Sequence, residues 1–293
     1  MRGALPLRVG LVCSLLLMAA SARAQQAVPV FTGEGLPASL DAIVEAAGRT
    51  DVVFLGEQHD DSLGHTLQLA LLRRIHERHG ATRYVTLSME MFETDVQTVL
   101  DEYLAGLITE PHFLRSSRPW DNYARDYRPM VEYAKAHALP VVAANAPRRY
   151  VNRVSRRGPA GLDSLWSDVK AAYLPPLPYP APTPAYRAKW DALMGGGAAH
   201  GPAAAGPSNA LMAQALWDAT MGHRIAGALA RVPNTLVVHP VGAFHVERNV
   251  GTPDALRHYR PGVRVLVVTM RPDAAWNAEA HAGLGDFVVL TGR

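Results

Sequence analysis

Six short runs of apolar and β-branched residues, separated by stretches with helical spacing, confine this chain to an α/β fold. The runs are Val52–Leu55, Tyr84–Met89, Val141–Ala144, Leu236–Val241, Val263–Thr269 and Phe287–Leu290. Continuous apolar runs of this length read as strands buried on both faces. Between them, Ser62–Arg78 sets Leu63, Leu67, Ala70, Leu71 and Ile75 on one helical face, with Asp60 or Asp61 as cap. Leu40–Ala47, Thr94–Ala105 and Tyr123–Ala138 (interrupted at Pro129) continue the pattern, and Ser208 caps a long helix to Ala230. The alternation predicts a mainly parallel sheet with helices on both faces.

One stretch, residues 173–207, departs from the pattern. Leu174 to Ala185 holds six prolines, Thr183 caps a helix that begins at Pro184 and runs through Met194, and Gly195-Gly196-Gly197 follows. This is a Pro/Gly-rich insertion or a small helical subdomain. A lid, a binding loop and a tolerated surface insertion are all open readings.

The amino terminus reads as a signal peptide over residues 1–24. Arg2 and Arg8 supply a positive start, Val9–Ala20 an apolar core too short to span a bilayer, and Ala22-Arg23-Ala24 a cleavage site before Gln25. The chain is thus expected in the periplasm or secreted. Cys13 has too little apolar sequence before it for a lipoprotein signal. Cleavage removes Arg2, Arg8 and Arg23 and no acid, so 26 basic residues balance 26 acidic ones and the formal +3 charge falls to zero. A neutral mature chain gives no support for nucleic-acid binding. The single cysteine leaves with the leader, which excludes disulfides, thiolate metal sites and a cysteine nucleophile. No apolar run after Gln25 approaches a membrane span.

The chemistry concentrates at strand ends. Val52–Leu55 leads into Gly56-Glu57-Gln58-His59, and the run near Val238 leads into Gly242-Ala243-Phe244-His245. In each, a glycine permits a sharp turn and a histidine follows three residues later. Glu90, then Asn145 and Arg148, follow two further strands, and a parallel sheet brings such ends to one edge, where ligands bind. Glu57, His59, Glu90, Arg148 and His245 are therefore the candidate catalytic set. Imidazole and carboxylate suit Zn, Mn or Fe, which makes His59, Glu90 and His245 candidate metal ligands. A carboxylate beside a histidine equally serves as a general base, and the arginine suits an anionic group. Singly, each also has a structural reading: a dipole-stabilised carboxylate, a loop-bridging arginine, a satisfied core histidine. Tyr123 and Tyr127 lie one helical turn apart and are candidate haem-iron ligands, with His223 a lesser one; half-buried core is the commoner role for such a pair. Asp218 stands out among the apolar neighbours of its helix. His76-Glu77-Arg78-His79 has the wrong spacing for a zinc-binding H-E-x-x-H.

Taken in order, Gly56-Glu57-Gln58-His59, Ser88-Met89-Glu90-Met91-Phe92, Asn145-Ala146-Pro147-Arg148 and Gly242-Ala243-Phe244-His245 resemble the ChaN-like family of the Tiki superfamily, which has TraB-like and erythromycin-esterase-like relatives. The resemblance spans about Val52 to His245. It implies an α/β protein that binds haem or an iron-bearing ligand and works in iron uptake beside an envelope transport partner. The enzymatic relatives imply a different role, a metal-dependent protease or esterase in which Glu57, His59, Glu90, Arg148 and His245 match the shared positions. The family is often lipid-anchored, and the absence of a lipobox cysteine sets this chain apart.

The leader generates a direct expectation. The intact mass of the exported protein should correspond to a chain starting at Gln25, without lipid. A mass that retains Cys13 bearing a diacylglycerol would overturn it.

Overall fold

The computed structural model describes residues 28–194 and 207–292. Its eight strands are β1 (Val30–Thr32), β2 (Pro37–Ala38), β3 (Val52–Glu57), β4 (Tyr84–Glu93), β5 (Val141–Asn145), β6 (Thr235–Gly242), β7 (Val265–Arg271) and β8 (Phe287–Leu290). They form one sheet in the order β2-β1-β8-β7-β3-β6-β4-β5. The six strands from β8 to β5 run parallel, and β1 and β2 extend one edge antiparallel. All six sequence-predicted strands are present. The β1–β2 pair, only three and two residues long, carries no periodic signal.

Helices cover both faces. On one lie α1 (Leu40–Ala47), α2 (Ser62–His79), α3 (Gln97–Leu104), α4 (Glu110–Ser117), α5 (Tyr123–Asp126) and α6 (Arg128–Ala136). On the other lie α7 (Arg148–Arg157), α8 (Ser167–Tyr173), α9 (Pro184–Leu193), α10 (Asn209–Arg231) and α11 (Thr252–Tyr259); α12 (Ala278–His281) precedes β8. The two-residue period of the strands explains how both faces are filled. Val53 and Leu55 pack into the core under α2, while Val52 and Phe54 pack into the core under α10. β3 is buried from end to end, as a central parallel strand must be.

The caps follow the sequence. Asp61 accepts from the Gly64 amide, Ser208 from Leu211 and Thr183 from Tyr186, each satisfying a donor of a helix's first turn. The long helical stretch expected over Tyr123–Ala138 breaks at Tyr127 into α5 and α6, because Pro129 has no amide to continue the ladder. Of the insertion, Pro184–Leu193 is helical as expected; the triple glycine after it lies outside the described residues, as does the signal peptide. No helix among the described residues is long and apolar enough to cross a membrane.

The topology itself builds the site. The chain runs from β3 to β4 to β5 on one side, then returns to insert β6 between β3 and β4. The carboxyl ends of three adjacent central strands thus meet, with Glu57 in register with Gly242.

Candidate active site at the carboxyl edge of the sheet

Glu57, His59, Glu90, Arg148 and His245 all line one cleft of about 670 Å³ beyond the ends of β3, β6 and β4. Trp120, Trp190, Trp217, Phe244 and Leu193 provide apolar walls, and Asn145, Gln214, Glu247 and Arg271 complete the polar lining. A second hollow of about 720 Å³ shares Trp120 and Arg148 with it and adds Arg118 and Arg149.

Glu57 is buried and fully engaged. Its Oε1 accepts from the Tyr127 hydroxyl at 2.5 Å and pairs with His59 Nδ1 at 2.9 Å. Its Oε2 accepts from Gln68 Nε2 at 2.7 Å and lies 3.4 Å from His65 Nδ1. Burial alone would raise the carboxyl pKa, but the bonds from His59, His65 and Tyr127 and the charge of His65 hold it down to about 2. Burial likewise opposes the charged form of His65, and the Glu57 carboxylate overcomes it, raising that pKa to about 9. Glu57 is therefore an orienting anion whose lone pairs are spent, not a free base.

What it orients is His59. With Nδ1 held by Glu57, the His59 ring stands half exposed, edge-on to Trp120 at 5.0 Å between centroids, and the Glu57 bond raises its pKa. Its Nε2 reaches the floor of the cleft at Gly242, where a Cβ would lie 3.2 Å from Nε2 and 3.0 Å from Cε1. This corrects the sequence reading of one of the two glycines. Gly56 sits inside β3 rather than on a turn, whereas Gly242 ends β6 and leads into a 3-10 turn at Ala243–His245; both serve close approach, and a Cβ on Gly56 would stand 2.9 Å from Val246 Cγ2.

His245 forms a second, more deeply buried pair. Its Nδ1 lies 2.8 Å from Asp218 Oδ1, and its Nε2 lies 3.1 Å from Gln214 Nε2 and 3.6 Å from Glu90 Oε1. Burial opposes protonation of His245, but Asp218 and Glu90 prevail and raise its pKa. Asp218 also accepts from the hydroxyls of Thr252, at 2.7 Å, and Tyr186. Glu90 Oε2 in turn accepts from the Gly242 amide at 2.6 Å, tying the end of β4 to that of β6. Sequence reasoning marked Asp218 as unusual without giving it a partner; a buried acid on an apolar helix face was the signal.

The insertion helix α9 is part of the wall. Tyr186 reaches Asp218, while Trp190 and Leu193 face the cleft. Lys189 donates to the backbone carbonyls of Phe244 and, at 3.1 Å, Glu247, and sits 4.6 Å from the Phe244 ring centre. Burial pushes its pKa down to about 8.

Three expectations need correction. The metal-ligand set His59, Glu90 and His245 is not assembled: among the described residues no group of three His, Asp or Glu side chains is arranged to hold a metal. His59 Nδ1, both nitrogens of His245 and one Glu90 oxygen are already in hydrogen bonds. Tyr123 and Tyr127 are core residues outside the cleft. Tyr123 packs against Phe92 and Phe113, burial raises its pKa and so disfavours a phenolate, and Tyr127 is committed to Glu57. His223 lines a separate cavity beside Val141. Val141 and Asn145 are opposite ends of β5, about 13 Å apart at the strand rise.

Two outcomes test this electrostatic frame. The folded-state pKa of Glu57, lowered from 4.5 to about 2, stabilises the fold above pH 4.5 and is lost as pH falls toward 2. That of His65, raised from 6.5 to about 9, stabilises below pH 6.5 and is lost as pH rises through 9. Melting temperature should therefore plateau between pH 4.5 and 6.5, and Glu57→Gln should pull the alkaline fall to lower pH. An unchanged alkaline limb in Glu57→Gln would refute the pairing; Glu57→Ala, which strands His65, should cost about 3–5 kcal/mol. Separately, Gly242→Ala should displace the half-exposed His59 ring at a stability cost of only about 1 kcal/mol. The His59 pKa, followed by ring-proton NMR, should then fall back toward 6.5; no change would show that Gly242 does not seat the ring.

Comparison with known proteins agrees with this architecture. ChaN of Campylobacter jejuni, whose structure is described as showing cofacial heme binding, superposes with a TM-score of 0.66 at 15% identity, over 91% of this chain and 97% of that one. A mutant of the erythromycin esterase EreC in its open conformation is more distant, with a TM-score of 0.47 at 11% identity over 85% and 78% of the two chains. The type III effector HopBA1 gives a TM-score of 0.48 at 14% identity, over 92% and 99%. No curated protein sequence matches the chain. The family described as haem-binding uptake, Tiki superfamily, ChaN matches residues 43–256, and to that family this chain belongs.

Proposed function

We propose that this protein binds haem, as the ChaN of Campylobacter jejuni is described to do, and that it does so in the cleft at the carboxyl edge of the sheet. The observation that carries the reading is His59: its Nδ1 is fixed on a buried carboxylate, while the rest of the ring stands half exposed in a cavity walled by Trp120, Trp190, Trp217 and Phe244. A carboxylate on the far nitrogen fixes the tautomer and raises the basicity of the near one, as for metal-bound histidines generally. A cavity of about 670 Å³ lies within the range of small-molecule and cofactor sites. Cations stand at its margin for the propionates. Arg149 is engaged with Asp95 and Arg271 with Glu247 and Asp273, whereas Arg148 makes no ion pair among the described residues.

When bound, haem would supply an iron centre. The protein's own part is to present the His59 imidazole through Nε2, with Nδ1 held by Glu57, to exclude water with the tryptophans and to neutralise carboxylates with Arg148. Export through the leader, iron uptake and hand-over to an envelope transport partner belong to the same proposal.

A second observation favours hydrolysis. His245, held by Asp218 and 3.6 Å from Glu90, is a buried acid–base pair that ligand binding at His59 does not require. Such a pair suits proton transfer to an ester or amide.

Titration of the mature protein with haemin separates the two. A saturable Soret shift should weaken at least tenfold in His59→Ala and several-fold in Arg148→Gln, and stay unchanged in Tyr123→Phe. Absence of saturable binding, or full retention in His59→Ala, would remove the haem reading. Ester or peptide hydrolysis that vanishes in both His245→Asn and Glu90→Gln would establish the other.

A further inference from the structure

A separate cavity, of about 410 Å³, opens at the opposite end of β5 from the cleft proposed for haem. Its walls are Gln97 and Asp101 of α3, Pro140–Val142, and the α10 face bearing His223, Arg224, Gly227, Ala228 and Arg231. Arg224, Gly227, Ala228 and Arg231 follow the i, i+3, i+4, i+7 spacing, so they share one stripe of the helix. The two arginines, about two turns apart, are separated on this stripe by residues almost without side chains, and that is what hollows the surface. A Cβ on Gly227 would meet nothing within 4 Å.

The charge in this hollow is poorly compensated. The Arg224 Nε is buried with no hydrogen-bond partner among the described residues. Its Nη2 reaches Gln97 Oε1 at 3.3 Å, an oxygen that already accepts from the Ala143 amide at 2.8 Å. The one carboxylate in the wall, Asp101, accepts from Gln97 Nε2 at 2.8 Å. Burial and the neighbouring Arg231 both press the Arg224 pKa down, with Asp101 opposing them. Arg231 has an ordinary reason to be where it is, since it sits in the last turn of α10 and complements the helix dipole. Arg224 has none: it is mid-helix, half-buried, and its fork is incompletely satisfied, which costs free energy unless something accepts from it.

We propose that this hollow is an anion-binding site, taking the phosphate or carboxylate group of a small ligand on Arg224 and Arg231, distinct from the cleft at the other end of the sheet. A guanidinium whose donors are only partly used, beside a second one on Arg231, suits the oxygens of an oxyanion. Pro140, Val142 and Ala228 give the remaining volume an apolar side that suits a short carbon skeleton beside that group.

Isothermal titration of the full mature chain with two probes, inorganic phosphate and succinate, tests it. One or both should bind saturably, weaken with added salt, and lose at least tenfold in affinity in Arg224→Gln. Gly227→Leu should abolish binding in the same way while keeping the fold, because the added side chain enters open space and leucine favours a helix over glycine. Arg148→Gln, in the other cleft, should leave these isotherms unchanged. Preference for one probe would identify which oxyanion the hollow takes. No saturable binding of either, or isotherms unaltered by both Arg224→Gln and Gly227→Leu, would overturn the proposal.

Discussion

The buried carboxylate of Glu57 is the contact on which the rest of the site depends. It stands at the last residue of β3, the strand that pairs with both β6 and β7, and gathers donors from α2, from Tyr127 between α5 and α6, and from His59. Removing an ion of this size from water costs several kcal/mol even after relaxation. That cost is offset only because the Tyr127, Gln68 and His59 contacts satisfy the oxygens and because His65 brings a positive charge within 3.4 Å. The helices on this face are thus fixed to the sheet edge by polar geometry as well as by the apolar core. The position of His59 follows from theirs.

A second anion repeats the device on the other face. Asp218 on α10 collects His245, Thr252 and Tyr186, and so joins α10, the turn after β6, α11 and α9. The two histidines differ in what this leaves them. His59 stands half open, whereas His245 is enclosed, with Glu90 and Gln214 at its remaining nitrogen. Glu90, bound to the Gly242 amide, lies between the two pairs and keeps the strand ends together. One cleft therefore offers an accessible ligand and a sequestered acid–base pair. Binding at His59 and proton transfer at His245 would need no change of scaffold, only a change in which histidine the incoming molecule reaches.

Much of this was legible in the residues because sheet topology is local chemistry repeated. The β-branched runs predicted six strands, and Asp60 or Asp61, Thr183 and Ser208 predicted three helix starts. Glu57, His59, Glu90, Arg148 and His245 met at one edge because parallel strands point their ends the same way. Partners were not legible. Tyr127 and Tyr123 have the same spacing signature, yet one hydroxyl finds Glu57 and the other finds only Phe92 and Phe113 around its ring, a difference set by where α5 breaks. The glycines illustrate a subtler limit. Gly-x-x-His reads as a turn, which holds after Gly242 but not at Gly56, where the strand continues; in both the missing side chain makes room, for the Val246 side chain over Gly56 and the His59 ring over Gly242.

The insertion resolves in the same terms. A proline-rich strap followed by a short helix has no internal reason to stay folded, since ten residues of isolated helix are unstable in water. Its order comes from what α9 touches: Tyr186 on Asp218, Lys189 on two backbone carbonyls and the Phe244 ring, Trp190 against the cleft. All of these contacts are with the segments that carry Asp218 and His245. The helix and the buried pair therefore order each other: a change that loosens α9 frees a hydroxyl from Asp218 and opens a wall of the cleft together, while leaving the Glu57–His59 pair, held from the opposite face, in place.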